Sequence, residues 1–175
     1  KVLGSHIHQA GSLVSDTRLR FDFTHFEPIT KEQILEIEKI VNEAIYKAYQ
    51  VSVKVMNIEE AKKSGAIALF DDKYDDEVRV VSVGDFSTEL CGGTHVQNSS
   101  DIGMFKIISE AGIASGVRRI EALTGSNVYE YLLEKEELID GIKKTVKANE
   151  DNLLSKINQT LEELKLSYRD LSKLK

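Results

Sequence analysis

The sequence predicts an α+β protein, in which a mostly antiparallel sheet packs against helices and is followed by a long helical or coiled-coil-like segment. Several short stretches alternate apolar and polar residues with a period of two. A helical stripe of apolar residues lies between the first two of these stretches, and no glycine occurs between Gly141 and Lys175. We therefore expect residues 1–125 to form one domain and residues 126–175 to form a helical extension.

The first part of the chain predicts one strand and one helix after an irregular opening, Lys1 to Leu13. Leu19–Phe23 alternates apolar and charged residues, as a half-buried strand does. Thr30 and Gln33 have the spacing of a capping box, which marks the first turn of a helix. The apolar stripe that follows predicts a helix from Lys31 to about Tyr49.

The next segment predicts a strand, a short helix and an acidic turn. Val51–Val55 alternates again, and Asn57 is a suitable N-cap for a helix over Glu59–Lys63. Gly65 is expected to end that helix. The charge run Asp71–Glu77 is interpreted as a solvated loop.

Three further strands are predicted before residue 125. Val78–Val83 is the first, and Met104–Ile108 and Val117–Leu123 are joined by the turn Gly112–Gly116. Phe86–Ser100 has no period and contains two adjacent glycines, so it is interpreted as a loop.

The C-terminal extension predicts one long amphipathic helix, or two, with a coiled-coil-like seam. Apolar residues recur there at steps of three or four, at Leu153, Ile157, Leu161, Leu164, Tyr168, Leu171 and Leu174. Two interpretations are open: a helical hairpin packed on its own chain or on the rest of a larger protein, or a helix through which the protein associates with itself.

Composition excludes several classes of protein. The 23 Lys and Arg residues are outnumbered by 29 Asp and Glu, so the net charge is -6 and any contact with nucleic acid must be local. No apolar run is long enough to cross a membrane, and the opening residues do not resemble a signal peptide. The single cysteine excludes an internal disulfide and favours a cytoplasmic location.

The segment Cys91-Gly92-Gly93-Thr94-His95 is the strongest candidate for chemistry. A thiolate and an imidazole four positions apart could bind one zinc ion, and the glycines allow a tight backbone. Two ligands do not close a zinc site, and a lone cysteine is often structural. His6 and His8 lie on one face of an extended segment and are weaker candidates than ligands outside the chain.

Three further polar side chains are candidates for binding. Strand alternation places Arg118 on the face of Ile120, where it must pair with a carboxylate or serve an anion such as a phosphate or a tRNA end. Gln9 and Ser12 flank Gly11, where they suit either recognition of a small polar substrate or an ordinary turn.

Three blocks of sequence resemble the editing domain of alanyl-tRNA synthetase. They are Leu3–Val14 with Leu19–His25, Val83–Val96, and Ser115–Gly125. The resemblance implies a deacylase that hydrolyses tRNA(Ala) mischarged with serine or glycine, and the trailing helices are similar to those that follow this domain. Because the chain opens without Met, we expect it to be a fragment of the synthetase.

The resemblance also implies the roles of individual residues. Gln9, Ser12 and Arg118 would line the editing pocket, and Cys91 and His95 would bind zinc together with a His-x-x-x-His pair expected upstream of Lys1. Zinc is therefore expected to be absent or weakly held by this chain. ATP would bind to the adenylation region of the parent, so the chain itself is not expected to aminoacylate tRNA.

The need for such an editing site follows from physical chemistry. Serine differs from alanine by one hydroxyl and glycine by one methyl, and a binding pocket rejects such differences by only about 1–3 kcal/mol. Three alternatives stay open: a free-standing alanyl-tRNA editing protein, the related domain of threonyl-tRNA synthetase, and a non-catalytic tRNA-binding or dimerisation module formed by the C-terminal helices.

Overall fold

The computed structural model describes residues 1–63 and 76–173, except for the side chain of Lys62. Within these residues the chain has an α+β fold with antiparallel sheets, as predicted. The strands are β1 (Gln9–Val14), β2 (Leu19–Thr24), β3 (Val51–Asn57), β4 (Glu77–Val83), β5 (Ser87–Leu90), β6 (Phe105–Ala114) and β7 (Val117–Thr124). The α-helices are α1 (Lys31–Tyr46), α2 (Ile58–Lys63), α3 (Ser126–Val146) and α4 (Leu153–Lys173), and a 3-10 turn spans Ser99–Ile102.

The first sheet has four strands in the order β1-β2-β7-β6. Its core face packs against α1, and the cluster of buried residues there comprises Phe23, Ile29, Ile45, Phe105, Ile107, Ile120 and Ala122. The capping box predicted at the start of α1 is present, since the Thr30 and Gln33 side chains each accept a hydrogen bond from the other's backbone N–H. Local signals therefore set the start of the helix that covers this sheet.

Two side chains of α1 bind the backbone of the edge strand β6. The Asn42 amide donates to Phe105 O and accepts from Phe105 N, each at 2.9 Å. The Glu38 carboxylate accepts from Ile107 N and from Lys106 Nζ, each at 2.8 Å. Because an unpaired strand edge would otherwise expose backbone groups, these contacts fix α1 to the sheet.

The second sheet has three strands in the order β3-β4-β5. Ala61 of α2 packs with Val78, Val80 and Leu90 in a separate small core. The predicted N-cap at Asn57 is present, because its side-chain oxygen accepts from Glu59 N at 2.9 Å. The 3-10 turn that follows the second sheet in the chain contacts α1, because the Ser99 hydroxyl donates to Ala44 O at 2.7 Å.

Several predicted boundaries were wrong. The opening is not irregular throughout, since β1 forms there, and Phe86–Ser100 contains β5 and the start of the 3-10 turn. These short elements alternate weakly because most of their residues are exposed or half-buried. Strand β6 extends to Ala114 instead of ending at Ile108, and it contains two bulges. The turn between β6 and β7, predicted as Gly112–Gly116, therefore consists of Ser115 and Gly116 alone.

An apolar cavity of about 250 Å³ lies between α1 and the four-stranded sheet. Its walls come from the opening residues, the sheet and the helix, and they include Val2, Leu3, Phe21, Phe23, Ile37 and Ile120. Because the lining is almost entirely apolar, the cavity lacks the polar groups that ester chemistry needs.

The chain divides into two compact units, Lys1–Val128 and Tyr129–Lys175. The second unit contains α4, which has no buried residue, and Leu161 and Leu171 are 50% and 60% exposed. The predicted C-terminal helical segment consists of two helices, α3 and α4, and the coiled-coil-like seam stays a prediction.

No helix of the described residues is long and apolar enough to span a membrane. The predicted stop at Gly65, most of the acidic run and Leu174 lie outside the described residues.

Candidate active site at the Cys91–His95 loop

The Cys91–His95 loop leaves the second sheet at the end of β5. Cys91 N donates to Arg79 O at 3.1 Å, which extends the β4–β5 ladder one step beyond Leu90. After the loop the chain passes the first residue of β3, where Val51 N donates to Gln97 O at 2.9 Å. Both ends of the loop are therefore fixed by backbone hydrogen bonds.

The thiol of Cys91 and the imidazole of His95 both lie close to Gly93. A Cβ atom placed on Gly93 would lie 3.6 Å from Cys91 Sγ and 3.9 Å from His95 Nε2. Cys91 is half-buried and His95 is exposed. The two donor atoms thus border a methyl-sized space that solvent can reach.

Arg79 of β4 is a residue of this site that the sequence analysis missed. Its Nη1 donates to Gly93 O and, at 3.4 Å, to Cys91 O. A single arginine in a strand gives no local signal of such contacts, because both partners lie more than ten positions further along the chain.

The donor set fits two ligands of a zinc ion. Zinc accepts thiolate and imidazole at about 2.3 and 2.0 Å, and the space at Gly93 separates one of each. A closed structural site needs four ligands. Among residues 1–63 and 76–173, no group of three or more His, Cys, Asp or Glu side chains is arranged to hold a metal ion. Cys91 and His95 would thus supply two of the four ligands of such a site.

Gln9 and Ser12 are brought together on β1. Gln9 Nε2 donates to Ser12 Oγ at 3.1 Å, across the irregular register between Gln9 and Gly11. Gln9 pairs with Phe23 of β2, and Phe23 pairs in turn with Arg118 of β7. Because directly paired residues of antiparallel strands share a face, Gln9 and Arg118 lie on the same face of the sheet.

Arg118 forms an internal ion pair, one of the two roles predicted for it. Its Nε donates to the Glu110 carboxylate, and their side chains are 13% and 10% exposed. The hydrogen bond to Glu110 raises the pKa of Arg118 above its usual value, so the guanidinium is always charged. A guanidinium has further N–H groups, and a contact between them and a substrate stays a prediction.

The opposite face of the same sheet carries a second arginine pair. Arg119 donates to both Asp22 carboxylate oxygens, at 2.7 and 2.8 Å. That hydrogen bond, opposed by desolvation, holds the pKa of Asp22 below its usual range. The alternation predicted for β7 is confirmed, because Arg118 shares the core face with Ile120 while Arg119 does not.

The histidines outside the loop have other partners. His6 Nε2 lies 3.0 Å from His25 Nδ1, with the rings stacked. His8 pairs through its backbone with Thr24. Among the described residues, no hydrogen bond or ion pair joins Gln9, Ser12 or Arg118 to the Cys91–His95 loop, so their convergence on one pocket stays a prediction.

The comparison with known families defines the class of protein. Residues 78–121 match the family described as the threonyl and alanyl tRNA synthetase second additional domain. This match contains β5, the Cys91–His95 loop, β6 and most of β4 and β7. Residues 78–121 are therefore similar to the second additional domain of these synthetases.

The particular relationship is to alanine–tRNA ligases. The whole chain is 55% identical to a segment of the alanine–tRNA ligase of Clostridioides difficile (strain 630) and 54% identical to that of Fervidobacterium nodosum. It is also 55% identical over 174 residues to the alanine–tRNA ligase 1 of Lachnoclostridium phytofermentans. The chain spans about a fifth, 20%, of each relative's length. The resemblance of the motifs to an alanyl-tRNA synthetase fragment is confirmed.

Proposed function

We propose that this chain is the editing region of an alanine–tRNA ligase and hydrolyses the ester of tRNA(Ala) mischarged with serine or glycine. The observation that carries the proposal is the pairing of the Cys91 thiol and the His95 imidazole around Gly93, inside the matched family segment. The parent protein would ligate alanine to tRNA with ATP in the cytoplasm, and this segment would correct its errors.

The chain's own residues would bind and orient the ester. The Gln9 amide and the Ser12 hydroxyl are polar, neutral groups that suit a small amino acid with a hydroxyl side chain. Arg118 supplies a charge that is held by Glu110 and suits the tRNA backbone. Water would attack the ester carbonyl carbon, and the ribose oxygen would leave with a proton.

Cys91 and His95 would act as ligands, with further ligands supplied by other parts of the full-length protein. A bound zinc ion would polarise a water or the substrate, which is the chemistry such an ion supplies. Cys91 is not proposed as a nucleophile. No described histidine forms a hydrogen bond with its sulfur, and a nucleophilic cysteine needs such a base.

The test is hydrolysis of Ser-tRNA(Ala) by the full-length ligase that contains this segment. Cys91→Ala is expected to lower the rate at least about 10-fold, because loss of one ligand opens the metal shell. Val96→Ala, in the same loop region, is the matched control and should keep the wild-type rate. Equal rates for the wild type and Cys91→Ala at matched folded content would assign the cysteine a structural role.

A second function is favoured by α4. Its apolar residues Leu154, Leu161, Leu164 and Leu171 are at least half exposed, which is typical of a surface that binds another helix. Self-association or tRNA contact through residues 126–175 would use this face. Sedimentation of the wild-type chain and of Leu161→Lys distinguishes self-association from tRNA contact. If the chain associates with itself, its apparent mass should rise with concentration, and Leu161→Lys should abolish that rise.

A further inference from the structure

The environment of Arg79 differs from that of the other strand arginines in this chain. Arg118 and Arg119 are bound to the carboxylates of Glu110 and Asp22. Among the described residues, Arg79 has no carboxylate within ion-pair distance, and its Nη1 is directed at backbone carbonyls of the Cys91–His95 loop. A half-buried cation that is bound only by carbonyl groups indicates a role in the shape of the loop.

The contacts of Arg79 fix the loop at three atoms. Its backbone oxygen accepts from Cys91 N, and its side chain donates to Cys91 O and Gly93 O. Two carbonyls that are two positions apart therefore converge on one nitrogen, which requires the backbone between them to curl. In this curled segment the Cys91 Sγ and the His95 Nε2 both lie within 4 Å of the point where a Cβ on Gly93 would be.

We propose that Arg79 is a positioning residue that holds the Cys91 thiol and the His95 imidazole together beside Gly93, so that both can bind one metal ion. The inference rests on the proposed function, since it concerns the same loop. Arg79 cannot itself be a ligand, because a guanidinium has no acceptor atom. It acts on the metal only through the backbone that carries the two donors.

Arginine suits this task better than lysine. Its planar guanidinium presents several N–H groups in a fixed geometry, and it stays charged at every physiological pH. A lysine ammonium is a point charge on a flexible chain, so it can satisfy one carbonyl without fixing the second. Arg79→Lys should therefore restore only part of the effect, although it preserves the charge.

The probe for this proposal is Co²⁺ alone, added to the 175-residue chain. A bond between cobalt and a thiolate gives a charge-transfer absorption in the near ultraviolet, and Cys91 is the only cysteine, so the band reports on one sulfur. Arg79→Gln is expected to weaken Co²⁺ binding by about 10- to 100-fold, the usual effect of losing a group that orients a ligand. Arg79→Lys should lie between Arg79→Gln and the wild type.

Arg20→Gln is the matched control. Arg20 is also a half-buried strand arginine, but it lies on β2 of the other sheet and its Nε has no hydrogen-bond partner. Its removal should leave Co²⁺ affinity within about twofold of the wild type, a difference well under 1 kcal/mol. Far-ultraviolet circular dichroism and thermal unfolding establish that each variant is folded, and Arg79→Lys replaces Arg79→Gln if the latter is not.

A second measurement does not depend on metal. Backbone amide exchange in the apo chain should become faster in Arg79→Gln at Cys91, whose N–H donates to Arg79 O, with exchange in β7 unchanged. Unchanged Co²⁺ affinity in Arg79→Gln would overturn the inference. A wild-type chain that shows no thiolate band at millimolar Co²⁺ would also overturn it, because the ligand pair itself would be absent.

The outcomes separate this inference from the proposed function. A wild-type band that Arg79→Gln weakens supports the positioning role even if the full-length ligase does not hydrolyse Ser-tRNA(Ala), which would defeat the proposed function alone. Hydrolysis by the ligase together with an unaltered band in Arg79→Gln would defeat the role of Arg79 alone.

Discussion

The two sheets of residues 1–128 use their polar side chains in different ways. Around the four-stranded sheet, charged groups bind one another or the backbone of the sheet, as Arg119 does with Asp22 and as Glu38 of α1 does with Ile107. In the three-stranded sheet, Arg79 binds the carbonyls of an exposed loop. No described group forms a hydrogen bond with the Cys91 thiol or the His95 imidazole.

This difference predicts that the two regions respond differently to substitution. Half-buried and buried charges that are paired inside the first sheet become costly when one partner is lost, because the other is left without compensation. The half-buried Cys91 thiol and the exposed His95 imidazole form no hydrogen bond with a described residue, so they contribute little to folding. We therefore expect large effects on stability from the first sheet and small ones from the loop.

Glu38→Ala should produce the largest loss of stability. The substitution leaves the buried Ile107 N–H and the Lys106 ammonium without their acceptor, which we expect to cost about 2–4 kcal/mol. Urea unfolding followed by circular dichroism measures this loss. Glu36→Ala, at an exposed position of the same helix, is the control and should change the midpoint little. A comparable loss in both variants would attribute the effect to the helix itself.

Asn42→Ala should be the next most severe change. It removes both hydrogen bonds between α1 and Phe105, at an expected cost of about 1–3 kcal/mol in the free energy of unfolding. Glu43→Ala is the comparison, because its ion pair with Lys39 is exposed and worth at most about 1 kcal/mol. Equal unfolding midpoints for the two variants would show that the hydrogen bonds between Asn42 and β6 add no measurable stability.

We expect the Asp22–Arg119 ion pair to make a smaller contribution to the free energy of unfolding, and this contribution depends on pH. Because the pKa of Asp22 is lowered in the folded chain, its contribution is complete above the usual carboxyl pKa near 3.8 and is lost as the pH falls through the lower folded value. Stability of the wild type should therefore fall below about pH 4 more steeply than that of Asp22→Asn. Parallel pH curves for the two proteins would contradict this assignment.

The smallest effect on stability is expected in the loop. Cys91→Ala should change the free energy of unfolding by less than about 1 kcal/mol, because the side chain is half-buried and forms no hydrogen bond. Gly93→Ala should also fold normally, but its methyl group would contact both Cys91 Sγ and His95 Nε2. Its Co²⁺ affinity should fall relative to Gly92→Ala, where a Cβ meets nothing within 4 Å. Equal affinities would contradict a metal bound beside Gly93.

Much of the fold and part of the site could be predicted from local patterns. The start of α1, strand β2 and the alternation of Arg118 and Arg119 in β7 were correct, because period and capping depend on neighbours in the chain. Strands β1 and β5 were missed because they are short edge strands whose residues are mostly exposed or half-buried, so apolar and polar residues alternate weakly in them. The Cys91–His95 pair could be proposed from the sequence because both side chains lie in one five-residue segment, and its role stays a prediction.

The sequence by itself determined the α+β class, the donor pair of the loop and the relationship to alanyl-tRNA synthetase, since each depends on residue type and spacing along the chain. Only the tertiary structure decided the partners of Glu38, Asn42 and Arg79. Asn42 binds a strand 63 positions away, and a hydrogen bond between such distant residues leaves no period in the sequence. Long-range side-chain contacts to the backbone depend on which elements become neighbours, and that is settled only when the sheets pack.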